Sequence, residues 1–134
     1  MGVLWTVLPL NQVAQDWLDG LGIPYPQKPS RLPTGGEIKT VLAGIRVAGG
    51  HVEVDDRGVG QFWQATITDQ TESNETRWAA LTICRYAGDA QPQEIWFEKG
   101  SVCLNTEIVR RFTALCGPLV LVPDTGEAPT VIEA

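Results

Sequence analysis

The sequence predicts an α+β fold: a mainly antiparallel β-sheet of about five or six strands with two or three helices packed on one face. Three observations carry this expectation. Apolar residues recur at helical spacing early in the chain and again over about 105–116. Between those stretches the period drops to two, as in "HVEVD", "QFWQATITD" and "EIWFE", which is the signature of half-buried strands. Short clusters of Gly, Pro, Asp and Asn punctuate the alternating runs at the spacing of an antiparallel meander. At 134 residues, the chain is expected to form one domain spanning 1–134, long enough to bury a core without staples.

Val3, Trp5 and Val7 alternate up to Pro9, predicting a short strand over 3–9. Asn11 is a candidate cap for a helix running to Gly20, because its side-chain oxygen can accept the orphan amide protons of the first turn. Val13, Trp17, Leu18 and Leu21 would form its apolar face. "IPYPQKPSRLP" follows, with four prolines in eleven residues. Proline fixes φ and removes donors, so this stretch reads as an extended surface connection. Thr34 and Glu37 form a T-x-x-E capping box ahead of the stripe Ile38, Val41 and Leu42, with Gly44 as the expected stop. After "HVEVD", "DDRGVG" reads as a turn. "QFWQATITD" and "RWAALTICRYA" are strands separated by the polar loop "QTESNET". "GDAQPQ" is the next turn and "EIWFE" the next strand. A helix over 105–116, capped by Asn105, would bury Leu104, Ile108, Phe112 and Leu115, with Leu104 and Val109 stapling its entry;. Gly117-Pro118 ends it. "LVLV", a turn and "TVI" complete the sheet.

Ten basic and sixteen acidic residues give a net charge of −6. That balance argues against nucleic acid, whose phosphates require clustered Lys and Arg. It suits a protein kept soluble by charge or one that docks a basic partner. The N-terminal "MGVLWTVLPL" is apolar but too short to span a bilayer and has no basic leader region, so no membrane role is expected. Cys84, Cys103 and Cys116 are odd in number, widely spaced and set among apolar neighbours. They read as buried, reduced thiols of a cytoplasmic protein, without a disulfide framework or a zinc site.

Three motifs bear on chemistry. Asp124-Thr125-Gly126, within "LVLVPDTGEAPTVIEA", resembles the catalytic triplet of retroviral aspartic proteases over about a dozen residues. Such enzymes pair two of these carboxylates and carry the triplet in the first third of the chain, whereas only eight residues follow Gly126 here. The stretch reads as a hairpin turn with its acceptor Asp and permissive Gly. His51, Glu53 and Asp55 alternate on one strand face, but the outer two lie about 13 Å apart at ~3.3 Å per residue, too far for one ion. The lone His also leaves conventional Ser/His/Asp and Cys/His catalysis without a base unless His51 serves. The glycines around it match neither phosphate-binding spacing. No catalytic residue, metal site or cofactor is expected.

The strands themselves carry the functional signal. One face presents Trp63, Ala65 and Ile67, then Ala79, Leu81 and Ile83, then Ile95 and Phe97, an ordinary core. The other presents Phe62, Gln64, Thr66, Trp78, Thr82, Tyr86 and Trp96, the mixture of rigid aromatics and small polar groups found at interfaces. Trp96 sits between Glu94 and Glu98 on that face. Another segment, such as the proline-rich connection or the N-terminal strand, is the competing explanation, since it could cover these residues. Asp16 and Asp19, with Glu53, Asp55 and Asp56, form a candidate acidic patch. The expected function is a non-enzymatic protein-interaction domain, for example an immunity-type inhibitor or adaptor, whose partner is another protein. The alternatives are a small-molecule site or enzyme over the same tryptophans, and self-association as a structural homodimer.

Overall fold

The computed structural model describes residues 4–48, 52–70, 76–98 and 100–133. Its centre is a seven-stranded sheet in the order β2-β3-β4-β5-β1-β6-β7. The strands are β1 (Leu4–Pro9), β2 (Val52–Val59), β3 (Phe62–Gln70), β4 (Thr76–Ile83), β5 (Ile95–Glu98), β6 (Leu119–Pro123) and β7 (Thr130–Ile132). Every neighbouring pair is antiparallel. The α+β class therefore holds, with more strands than the five or six expected. The N-terminal strand is not a cover. It lies inside the sheet, with Thr6 opposite Trp96 on one side and Val122 on the other.

Two long helices, α2 (Gly35–Ala48) and α3 (Val102–Cys116), occupy one face, termed here the first face. Their apolar stripes, Ile38, Leu42 and Ile45 on α2 and Leu104, Ile108, Val109 and Phe112 on α3, close over Trp63, Ala65, Ile67, Ala79, Leu81, Ile83, Ile95 and Phe97. Each fully buried aliphatic or aromatic side chain there contributes about 1.5–3 kcal/mol relative to exposure. The capping box forms as expected: the Glu37 N–H donates to Thr34 Oγ1 at 3.2 Å, and the Thr34 N–H donates to Glu37 Oε1 at 2.9 Å. Gly44 does not end α2. Burial of Ile45, one more step along the stripe, outweighs the roughly 1 kcal/mol helical penalty of glycine;.

Several local expectations are corrected by tertiary partners. β2 runs straight through "DDRG", because its backbone pairs with β3 as far as Val59 opposite Phe62. The turn is confined to Gly60 and Gln61, with Gly60 at φ 60°, a left-handed conformation that glycine adopts at no steric cost. Asn11 caps nothing. Its backbone N–H donates to Ser30 Oγ at 3.3 Å and its Nδ2 to the Ser30 carbonyl at 3.1 Å, fastening the proline-rich connection to the exit of β1. A single 3-10 turn (Leu10–Gln12) and the short helix α1 (Gln15–Gly20) follow β1 instead. α3 starts a turn early at Ser101, so Asn105 is an interior, fully buried residue whose N–H bonds to the Ser101 carbonyl. Leu115 points to solvent and Cys116 takes its place in the core, the position four residues after Phe112.

The connection is pinned where it crosses the end of α3. Arg31 Nη1 and Nη2 donate to the two carboxylate oxygens of Glu37 at 2.6 and 2.9 Å, and Nη2 also donates to the Leu115 carbonyl at 3.3 Å. That fork holds the Glu37 carboxyl well below its ordinary value of 4.5, at about 2, with the Thr34 amide assisting against the opposing effect of burial;. On the far side of the first face, Arg77 reaches from β4 to Asp69 on β3 and to Glu107 on α3, locking that helix to the sheet.

Candidate functional site

The second face of the sheet is finished by different means at its two ends. Over β1, β6 and β7, Leu10, Val13 and Leu18 pack with Val120, and Leu8, Ile23, Tyr25, Val122 and Val131 close around them. α1 therefore lies on the opposite face from α2 and α3. Its stripe splits: Val13 and Leu18 are buried, while Trp17 and Leu21 are 41% and 47% exposed.

Over β3, β4 and β5 no such layer is present among the described residues. Phe62 and Trp78 are 40% and 39% exposed, Thr66 is exposed, and Gln64, Thr68 and Trp96 are half-buried. Register explains how they meet. Gln64 lies opposite Thr82, Thr82 opposite Trp96, and Trp96 opposite Thr6, a continuous cross-strand row at right angles to the strands. Directly opposite residues share a face with Cβ atoms about 4.5–5.5 Å apart. Gln64 Nε2 donates to Thr82 Oγ1 at 3.0 Å. Thr82, fully buried between the longer Gln64 and Trp96 side chains, thus keeps a hydrogen-bond partner;. Trp96 Nε1 donates to Glu98 Oε1 at 3.4 Å.

Tyr86 does not belong to this face. β4 ends at Ile83, and the Tyr86 N–H bonds to the Gln61 carbonyl at 2.7 Å. The ladder that sets Trp63 opposite Ile83 would put Arg85 there. One extra residue in the strand reverses the alternation, so Tyr86 packs on the first face, its ring centre 6.4 Å from that of Trp63. Its hydroxyl donates to Asp89, and Lys39 Nζ lies 4.7 Å from the ring centre and 3.0 Å from Asp89 Oδ1. Burial and the Asp89 carboxylate raise the Tyr86 hydroxyl above its ordinary value, while Lys39 opposes the rise. A Cβ on Gly35 would overlap the Tyr86 phenol, so the bare glycine backbone at the start of α2 makes this seat. Tyr86 is a pin between α2 and the 88–91 turn.

The five carboxylates proposed as one acidic patch are separated. Asp16 and Asp19 lie exposed on α1, over the β1–β6–β7 end. Burial, and after it the hydrogen bond and charge of Asp19 and the charge of Asp16, raise the nearby Tyr25 hydroxyl above its ordinary value. Glu53, Asp55 and Asp56 belong to β2, five strand spacings away from β6, or about 24 Å at ~4.8 Å per strand. Their backbones pair with Thr68, Thr66 and Ala65, so Asp56 has the opposite parity from the other two. Their side chains, and His51, lie outside the described residues.

Asp124 occupies the turn after β6 and is exposed. Its N–H donates to the Leu4 carbonyl at 2.9 Å, and its Oδ1 accepts from the Leu4 N–H at 3.1 Å. Gly126 follows at φ 83°. The triplet thus clips the turn to the start of β1. Cys84 and Cys103 are exposed, contrary to the expectation of three buried thiols, because both fall at element ends. Only Cys116 is buried. Burial pushes its thiol up to about 11. Among the described residues no three His, Cys, Asp or Glu side chains could hold a metal ion, and no helix is long and apolar enough to cross a membrane.

Two clefts that the sequence did not announce flank Trp96. One, of about 430 Å³, is lined by Leu4, Thr6, Leu8, Leu32, Glu94 and Trp96 among others. The second, of about 410 Å³, is lined by Cys84, Arg85, Glu94 and Trp96. Comparison with protein-family models, curated proteins and solved structures finds no match to this chain.

Proposed function

We propose that the protein is a non-enzymatic binding domain that docks a protein partner across the open half of its second sheet face. The observation that carries this reading is the incomplete cover. The face is closed by α1 over β1, β6 and β7, yet Phe62 and Trp78 remain about two-fifths exposed over β3 and β4. Two large aromatics left on a rigid sheet, with Gln64 and Thr66 following Phe62 along the same face of β3 to fix register, supply area and direction to a partner at low entropic cost;. The net charge of −6 selects a basic partner and speeds the encounter. An inhibitor that occludes a basic enzyme, or an adaptor of the same charge, is the class this combination suits. Exposed free thiols at Cys84 and Cys103 fit a reducing, cytoplasmic setting.

Stoichiometric affinity capture from the source organism tests the reading, with wild type run beside Phe62→Ala/Trp78→Ala and beside Leu115→Gln, a control on an exposed position of α3. A single basic protein retained by wild type and by the control, and lost from the double variant, is the expected result. Capture that the double substitution leaves intact overturns the reading. Loss of a homodimer in its place would reassign the face to a second copy of the chain.

A further inference from the structure

A specific seat lies at the border of the proposed docking face, where β5 meets β1. We infer that the cleft between β1 and β5 beside Trp96 receives an arginine side chain of the protein partner; this rests on the binding-domain reading and names the group that the face selects. On β5 Trp96 and Glu98 alternate with the core residues Ile95 and Phe97, and Glu94, just before the strand, lines the same clefts as Trp96, so the indole has a carboxylate two residues away on either side. Glu98 accepts the indole N–H at 3.4 Å. A carboxylate on that proton adds electron density to the ring, and the ring face is where a cation binds. Glu94 lines the cleft directly. Leu4, Leu8 and Leu32 complete its wall, and no Lys or Arg is among its lining residues.

That chemistry matches a guanidinium on an aliphatic stem. The methylenes meet leucine surface, the planar head stacks on indole, and its N–H fork reaches Glu94. An ammonium is more strongly hydrated and cannot stack, so lysine fits less well. The neighbouring cleft on the other side of Trp96 is a poorer seat for a cation. Arg85 lines it beside the shared Glu94, where it repels an incoming positive charge. The β1-side cleft therefore carries an unbalanced carboxylate and its neighbour a balanced pair, and the arginine belongs on the β1 side.

The test is an NMR titration of the intact protein with N-acetyl-arginine-amide, read at the Trp96 indole N–H, with N-acetyl-norleucine-amide and N-acetyl-glutamate-amide as comparison ligands. The arginine compound should shift that resonance saturably in the millimolar range. Glu94→Gln should weaken binding about fivefold and Trp96→Leu about tenfold, while Leu115→Gln leaves it unchanged. Glu94 is exposed, so its conservative replacement keeps the fold intact, and added salt should weaken the wild-type response. An equal response to norleucine-amide would make the cleft merely apolar and overturn the proposal. Preferential binding of glutamate-amide, or no saturable shift with arginine-amide, would overturn it as well. Capture of a partner through Phe62 and Trp78 is read separately, so the seat can fail while the docking face stands.

Discussion

At the β1–β6–β7 end of the second face, Leu10, Val13 and Leu18 lie over Val120, with Leu8, Val122 and Val131 around them. At the β3–β4 end, Phe62 and Trp78 are left two-fifths exposed. The two ends share one sheet and one alternation, and they differ in which residues fill the second-face positions. The covered end is mainly aliphatic, with Leu8, Val120, Val122 and Val131 on the strands, side chains that have no polar atoms and gain only from burial. The open end mixes aromatics with Thr and Gln, and Gln64 there hydrogen-bonds Thr82 across the strands. The covered and the open half of one sheet face thus differ in composition as well as in exposure;.

The comparison is sharpened first by contrasting opposite sides of the same sheet. Phe97→Ala removes a fully buried ring from the first face and should cost about 3–5 kcal/mol in urea unfolding, whereas Trp78→Ala on the open half should cost about 1 kcal/mol. Equal losses would mean that Trp78 is core. Next, Leu18 is the fully buried anchor of α1. Leu18→Ala should cost about 2–4 kcal/mol and speed amide exchange over 15–20, leaving α2 and α3 protected; uniform acceleration would show that the α1 cover is not a separate layer.

A smaller effect isolates the strap that links α1 to α2. The Glu37 carboxyl lies at about 2 in the folded chain against an ordinary 4.5. The folded value is the lower one, so this stabilisation is complete above pH 4.5 and is lost as the pH falls toward 2;. Glu37→Gln should flatten that acid limb by about 1–2 kcal/mol, discounted for the partial exposure of Arg31. An unchanged limb would place the ion pair outside the folded state. Smallest in energy is the thiol pattern. Cys84 and Cys103 should react with a thiol reagent in the native protein, and Cys116, buried with its thiol raised to about 11, only on unfolding;.

Where local pattern and tertiary packing agree, the sequence was sufficient. The period-two stripes through Trp63–Ile67, Ala79–Ile83 and Ile95–Phe97 are the core, the Thr34–Glu37 box caps α2, and Asp124-Thr125-Gly126 is a turn. What could not be read depended on distant partners. Asn11 is a sound cap by local rules, but Ser30 takes its hydrogen bonds. Tyr86 continues the alternation of β4 on paper, yet one extra residue before the Gln61 carbonyl turns it to the other face. The face on which α1 would settle has no local signature either, since a six-residue helix carries too short a stripe to choose. Of the seven residues proposed for the aromatic face, six lie on it, and the larger cleft beside Trp96 required the register of β1 against β5.

Solvent access to individual tryptophans decides between an open face and a covered one. Fluorine NMR of protein labelled with 5-fluorotryptophan, assigned by single Trp→Phe variants, reports all five indoles in the presence of a soluble paramagnetic agent. Trp78 and Trp17 should broaden strongly, Trp96 and Trp5 partly, and Trp63 hardly at all. Protection of Trp78 to the level of Trp63 would contradict the open face on which the proposed function rests.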